Sequence, residues 1–267
     1  MIKILFIFLS IISLLTLSLC TDTFNYKSGG DDWTGKCKEG QKQSPVNIEV
    51  LSTKIIDSTY FYLLNSNENN FTVTNNDNEY TVGSEDLGDV FFYFPDKKSK
   101  SNEYSDYTIK KIFIHSPSEH RINNKSYDLE IQILSEFTYG KLNYTNHMLS
   151  LLCTVDDESE NTDKFFFDIL EQKKSLNISS LVFQDQTNSK TFIYEGSLTT
   201  PPCTENIIWF VLKTPYKISL KNLKIFREKW ENNPIFADGR GNNRNSQQLF
   251  NRTIYTNNGE NVKFIKK

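Results

Sequence analysis

Short runs in which apolar and aromatic residues alternate with polar ones recur along the chain, a period-two pattern that fits strands with one buried face. Between Thr59 and Tyr93 they read Tyr60-Phe61-Tyr62-Leu63-Leu64, Phe71-Thr72-Val73 and Val90-Phe91-Phe92-Tyr93-Phe94, divided by Asn, Asp and Gly clusters. This predicts a meander-like antiparallel sheet. A β-prone run from Tyr107 to Ile112 leads into Phe113-Ile114-His115, and Leu129-Glu130-Ile131-Gln132 forms a second run after the turn residues Asn123-Asn124-Lys125-Ser126. Two strands joined by a hairpin-like turn are expected. Residues two apart on a strand share a face, so Phe113 and His115 point the same way and a paired second strand can bring Gln132 beside them. His147 to Val155 and Ile207 to Leu212 are further strand candidates. Helical spacing is confined to Thr162–Lys174, with Phe165, Phe166, Ile169 and Leu170, and to Ser219–Trp230, with Leu220, Leu223, Phe226 and Trp230 behind a Ser cap. A mainly β chain with a few peripheral helices is predicted.

The 267 residues suit one large domain after a leader, without linker or repeat. Met1 to Cys20 carries a lone Lys3 and an apolar run from Ile4 to Leu19. That run is shorter than the roughly 20 residues of a bilayer span, which favours a cleaved secretory signal over 1–20, ahead of a single domain over 21–267, rather than a signal anchor. No membrane span is then expected in the mature chain. Formal net charge is −3 with interspersed signs, so nothing supports nucleic-acid binding.

A secretory route leaves Cys37, Cys153 and Cys203 in an oxidising compartment, three thiols with one left over. It also makes the sequons at Asn70, Asn124, Asn143, Asn177 and Asn251 readable as glycosylation sites, most of them expected to carry sugar.

Four stretches carry a resemblance to one family. Gln43-Ser44-Pro45-Val46-Asn47-Ile48, the His115 to Gln132 segment with its Ser118-Glu119-His120, Gly196-Ser197-Leu198-Thr199-Thr200-Pro201-Pro202, and Asn242-Asn243-Arg244 through Gln247, Leu249 and Arg252 resemble the signatures of the α-class carbonic anhydrases. The resemblance runs from about Tyr26 to Ile254. It implies a large twisted mixed sheet, mostly antiparallel, with a few peripheral helices. It also implies a disulfide between Cys37 and Cys203, since secreted members pair cysteines at these places, with Cys153 left as a buried thiol.

In that family three imidazoles hold zinc, and the metal lowers the pKa of bound water to about 7, making a hydroxide that attacks carbon dioxide. The ligand positions fall on Phe113, His115 and Gln132, of which one is an imidazole. Phe113 has no lone pair and the Gln132 amide oxygen is a weak zinc donor. Of the other histidines, His120 matches an outer residue and His147 precedes a different strand. The stretch Asn67-Glu68-Asn69-Asn70 stands where the family has a proton-relaying imidazole. Glu119 and Thr199 match the pair in which a carboxylate orients a threonine hydroxyl, and Thr200, Val211 and Leu198 match the substrate-pocket wall. Glu119, His120 and Thr199 read at least as well as a buried polar network kept for the fold, and His115 as a satisfied core residue.

The expected function is therefore a secreted carbonic-anhydrase-related protein without zinc or hydration activity, a binding or recognition module for an extracellular protein or small ligand. No cofactor is expected. The opposing reading is an active zinc-dependent carbonate dehydratase using His115, Gln132 and a further ligand.

Overall fold

The protein is described by a computed structural model over residues 24–56, 60–63, 71–75, 79–95, 102–140, 144–156, 178, 190–228 and 239–257. The predicted leader, the predicted 162–174 helix, the 67–70 stretch, Trp230 and the sequons at Asn70, Asn143 and Asn177 lie outside them.

The alternating runs become strands. In chain order they are β1 (Asn47–Ile48), β2 (Lys54–Ile56), β3 (Tyr60–Leu63), β4 (Thr72–Asn75), β5 (Tyr80–Gly83), β6 (Asp89–Pro95), β7 (Asn102–His115), β8 (Arg121–Ile122), β9 (Leu129–Gly140), β10 (Asn146–Val155), β11 (Thr191–Ser197), β12 (Glu205–Ile218) and β13 (Tyr255–Asn257), with short helices α1 (Lys36–Glu39) and α2 (Leu220–Arg227). Eleven strands form one mixed sheet, ordered β2-β13-β11-β12-β10-β9-β7-β5-β4, with β6 also on β7 and β3 on β6. The pairs β10 with β12 and β13 with β2 are parallel and the others antiparallel. β7 is long enough to serve two neighbours, β6 along 102–108 and β5 along 111–114.

Both faces of the central strands are buried, which explains why β10 and β12 read as nearly continuous apolar runs. Ile112, Ile114, Ile131, Ile133, Leu149 and Phe210 pack on one face. Phe113, Met148, Leu152, Trp209, Val211 and Phe192 pack on the other. On that second face the register sets Thr81, Phe113, Gln132, Ser150, Val211 and Phe192 in one row across six strands. A slip of one residue would send the whole row to the opposite face.

Two expectations need correction. β7 and β9 are antiparallel neighbours, yet they are not joined by a tight hairpin, since 13 residues from Ser116 to Asp128 separate them. Within this connection β8 leaves the main sheet to pair in parallel with β1. The predicted turn closes β8 instead: Asn123 and Asn124 both have positive φ (48° and 62°), and Ile122 and Lys125 exchange backbone hydrogen bonds. Asn tolerates this left-handed backbone better than most residues, which is why two in succession make a tight turn. Asn124 is exposed there. The second helix is shorter than its apolar pattern, Leu220–Arg227, with the Ser219 hydroxyl accepting from Asn222 N–H as its cap.

Cys37 and Cys203 form a disulfide that ties α1 to the loop after Thr199–Thr200, and Cys153 is a buried thiol in β10 that takes no part in that disulfide. The bond closes a segment with a sequence separation of 166. In the chain-entropy account such a closure stabilises by roughly 5 kcal/mol, less any strain. Replacing both cysteines with serine should therefore lower the unfolding free energy by roughly 3–5 kcal/mol. Urea titration of the double variant against wild type measures it, and an unchanged midpoint would refute the tie.

Candidate functional site

β7 and β9 present four residues to one place. Phe113 lies opposite Gln132 and His115 opposite Glu130 in the register. Glu130 and Gln132, two apart on β9, share a face. All four are buried, with Glu130 and Gln132 fully so.

His115 is fixed by the segment around Asn242. The carbonyl of Asn242 lies 2.7 Å from His115 Nδ1, and since a carbonyl only accepts, Nδ1 carries the proton. Asn242 also takes Ser116 N–H on its side-chain oxygen at 2.9 Å and gives its amide to the Ile114 carbonyl at 2.9 Å. This clamp requires Gly241, with φ +113° and a would-be Cβ 2.0 Å from the Ser116 carbonyl oxygen. His115 Nε2 is thereby left with a lone pair, buried and without a hydrogen-bond partner among the described residues. The Phe113 ring lies nearly parallel to the imidazole, centroids 6.4 Å apart at 19°.

Gln132 is held on both ends of its amide. Its nitrogen donates to Glu119 Oε2 at 2.7 Å and to Glu130 Oε1 at 3.1 Å, and its oxygen accepts from the Thr199 hydroxyl at 3.3 Å. Two carboxylates flank the amide, so the end facing them must be the NH2. Glu119 and Thr199, expected as a direct pair, are linked through Gln132.

Glu130 is the most heavily bonded group of the site. It accepts from the Glu119 and His120 backbone N–H groups at 2.8 Å, from His120 Nδ1 at 2.7 Å and from Ser150 Oγ at 2.7 Å, besides Gln132. Complete burial pushes its carboxyl pKa up, but the charge of His120 and the hydrogen bonds of His120 and Ser150 outweigh that and hold it at about 2. His120 bridges onward to the Tyr194 hydroxyl at 2.6 Å, which reaches Ser44 Oγ at 2.8 Å; burial raises the Tyr194 pKa far above the phenol range. The other carboxylate, Glu119, accepts the Arg244 backbone N–H at 2.8 Å and lies 3.5 Å from His115 Nδ1. Arg244 is itself buried, donating to Gln43 Oε1, the Ser44 carbonyl and the Cys37 carbonyl.

Phe113, His115, Glu119, His120, Gln132 and Thr199 are thus brought together through the β7–β9 register and the Glu119, Glu130 and Gln132 contacts. Thr199 and Thr200 are buried on the loop after β11, and Val211 and Leu198 belong to the apolar cluster that contains Phe113. Roles for Glu130, Tyr194, Ser150 and Arg244 did not emerge from the sequence. Glu130 carried a signal: a carboxylate between Leu129 and Ile131 in a buried strand must have partners. The others reach the network from three other strands or loops with no local pattern.

A sequence model of the eukaryotic-type carbonic anhydrases matches residues 28–258. The chain belongs to that family. Among relatives, a carbonic anhydrase of a Nostoc species is 26% identical over 206 residues, 74% of this chain and 72% of that protein. Dioscorin DB3L of Dioscorea polystachya is 26% identical over 251 residues, 88% of this chain and 86% of its own. The α-carbonic anhydrase of Thermovibrio ammonificans, solved with the inhibitor sulfanilamide, superposes with a TM-score of 0.62 at 24% identity, over 82% of this chain and 89% of that one.

The residues present do not fit the family's zinc. His115 Nε2 keeps a lone pair, but Phe113 has none to offer and the Gln132 amide oxygen is already engaged by Thr199. Among the described residues no group of three His, Cys, Asp or Glu side chains is placed to hold a metal ion.

Glu130 gives a prediction with a definite sign. Its carboxyl pKa is lower in the fold, about 2, than the ordinary 4.5, so its contribution is complete above pH 4.5 and is lost as pH falls from 4.5 towards 2. Glu130→Gln should cost roughly 3–5 kcal/mol at neutral pH, as expected when one partner of a buried ionic network is removed. It should also flatten that acid limb. Urea midpoints measured from pH 7 to pH 2.5 check both, and parallel acid limbs in variant and wild type would refute the assignment.

Proposed function

We propose that this family member does not hydrate carbon dioxide and serves as a binding or recognition module outside the cell, for a protein or a small ligand. The observation that carries the reading is the engagement of Gln132. Its amide joins Glu119, Glu130 and Thr199, in the position where the family needs an imidazole lone pair directed at zinc. Phe113 removes a second donor. Without the metal there is no low-pKa water, and none of the remaining groups supplies a substitute nucleophile.

A cleft on the same face supports the binding half of the proposal. A trough of about 630 Å³ lies beside Phe113, lined by Thr72, Thr74, Thr81, Glu79 and Lys111 among others. Lys111 Nζ is held 3.2 Å from Glu79 and 4.7 Å above the Phe113 ring. Hydroxyls, a carboxylate and an ammonium at a concave surface provide both donors and acceptors. The extracellular setting rests on the leader-like Met1–Cys20 segment and the sequons, and on a disulfide of a kind that persists in oxidising compartments. No helix among the described residues is long and apolar enough to cross a membrane.

Purified wild-type protein should contain no stoichiometric zinc and hydrate carbon dioxide no faster than the buffer. Phe113→His with Gln132→His should create three imidazoles around the already oriented His115, and zinc should bind appreciably only in the double variant, a strongly non-additive outcome. Atomic absorption and stopped-flow hydration assays decide it. One zinc per wild-type chain with hydration above background would overturn the proposal. A folded double variant that takes up no zinc would refute the placement of these positions around one centre.

A further inference from the structure

On the far side of the β11 and β12 strands a second cleft of about 790 Å³ opens, within the roughly 300–1,000 Å³ range of small-ligand sites. Its rim holds two large aromatic side chains that burial has not taken up: Phe250 is 55% exposed and Tyr255 39%. Tyr144 joins them in the lining, together with polar Lys42, Glu195 and Arg252. Between Phe250 and Arg252 the cleft is also lined by Asn251, the acceptor of the sequon Asn251-Arg252-Thr253.

We propose that this cleft is the seat of the protein's own N-linked glycan, carried on Asn251 and folded back over Phe250 and Tyr255. The inference rests on the secretory reading. Three features select this occupant. The cleft is amphipathic in the way a pyranose is, with rings to receive the C–H face and charged or polar groups for the hydroxyls. The attachment point is part of the wall, so the first sugars meet the rings at a high effective concentration. The tether is rigid: Arg252 donates to the Leu249 carbonyl at 3.1 Å and the Gln248 carbonyl at 2.7 Å, fastening the turn, and to the Glu195 carbonyl at 2.9 Å, fastening it to β11. Phe250 takes φ +49° within that turn, which commits the chain to a tight reversal and sets Asn251 at the lip. Lys42 and Glu195 are held 2.6 Å apart, pre-arranging a donor and an acceptor in the cleft lining.

Asn124 provides an internal control, a sequon on an exposed turn that is not part of this cleft. The full chain is expressed in a secreting eukaryotic host, and glycan release by peptide-N-glycosidase is followed site by site on native and on denatured protein by peptide mass spectrometry. A docked glycan is accessible only in its undocked fraction, so release from native Asn251 should be slower than from native Asn124 by about tenfold or more, with the difference gone after denaturation. Phe250→Asn, a residue that tolerates positive φ, combined with Tyr255→Ser should bring the two native rates to within about twofold.

Equal native rates in the wild type would overturn the proposal on their own, whatever the variant's folding. Slow release that persists in a folded Phe250→Asn, Tyr255→Ser variant would overturn it too, since a rigid turn and not the rings would then be the cause. A bare Asn251 beside a glycosylated Asn124 removes the occupant while leaving the secretory reading intact, and two bare sites remove both.

Discussion

Two carboxylates, Glu119 and Glu130, are buried on one face of the sheet with almost no exposure, and the amide nitrogen of Gln132 donates one hydrogen to each. An uncompensated buried charge is expensive, and two side by side are worse. The surrounding architecture can be understood as the answer to this cost. The register of β7, β9 and β10 brings Ser150 to Glu130. The 116–128 connection folds back so that two of its own backbone N–H groups and His120 reach the same carboxylate. The C-terminal segment crosses the end of β7 and gives Glu119 the Arg244 N–H. Arg244 then reaches the N-terminal arm through Cys37, Gln43 and Ser44, so the chain's two ends are tied through this one network.

The same interaction bears on the proposal that this family member holds no zinc. An imidazole with one nitrogen on a metal has a single N–H left to donate, whereas a primary amide has two and no comparable lone pair. Gln132 is therefore well suited to bridging two acceptors and poorly suited to binding zinc. Around it, Asn242 sets the His115 tautomer, Thr199 donates to the Gln132 oxygen and His120 hydrogen-bonds Glu130. Outer contacts tune a metal site without making one. In the proposed reading, the folding requirement of the two carboxylates is enough to account for these contacts.

Much of this could be seen in the sequence because the relevant signals are local. Alternation marked the strands, and the two-residue period placed Phe113 with His115 and allowed Gln132 to face them. What stayed hidden was non-local. That β8 would leave for β1, turning an apparent hairpin into a 13-residue excursion, depends on Gln43–Ile48 lying alongside, some 75 residues earlier by sequence. The Asn123-Asn124 turn was legible as a turn but not as belonging to β8. The partners of Glu119 come from residue 132 and residue 244, and no periodicity links them. Nothing local in the sequence marks Phe250 and Tyr255 as exposed side chains beside a sequon.

The central claim is that Gln132 is committed to its carboxylates and that the site has no strong zinc affinity. The most direct measurement is a zinc titration of metal-stripped wild-type protein followed by thermal unfolding, because a ligand that binds only the folded state raises its stability in proportion to the logarithm of ligand over Kd. The account predicts an unfolding temperature that does not move as zinc passes one equivalent. A saturable rise at one zinc per chain in the wild type would contradict it.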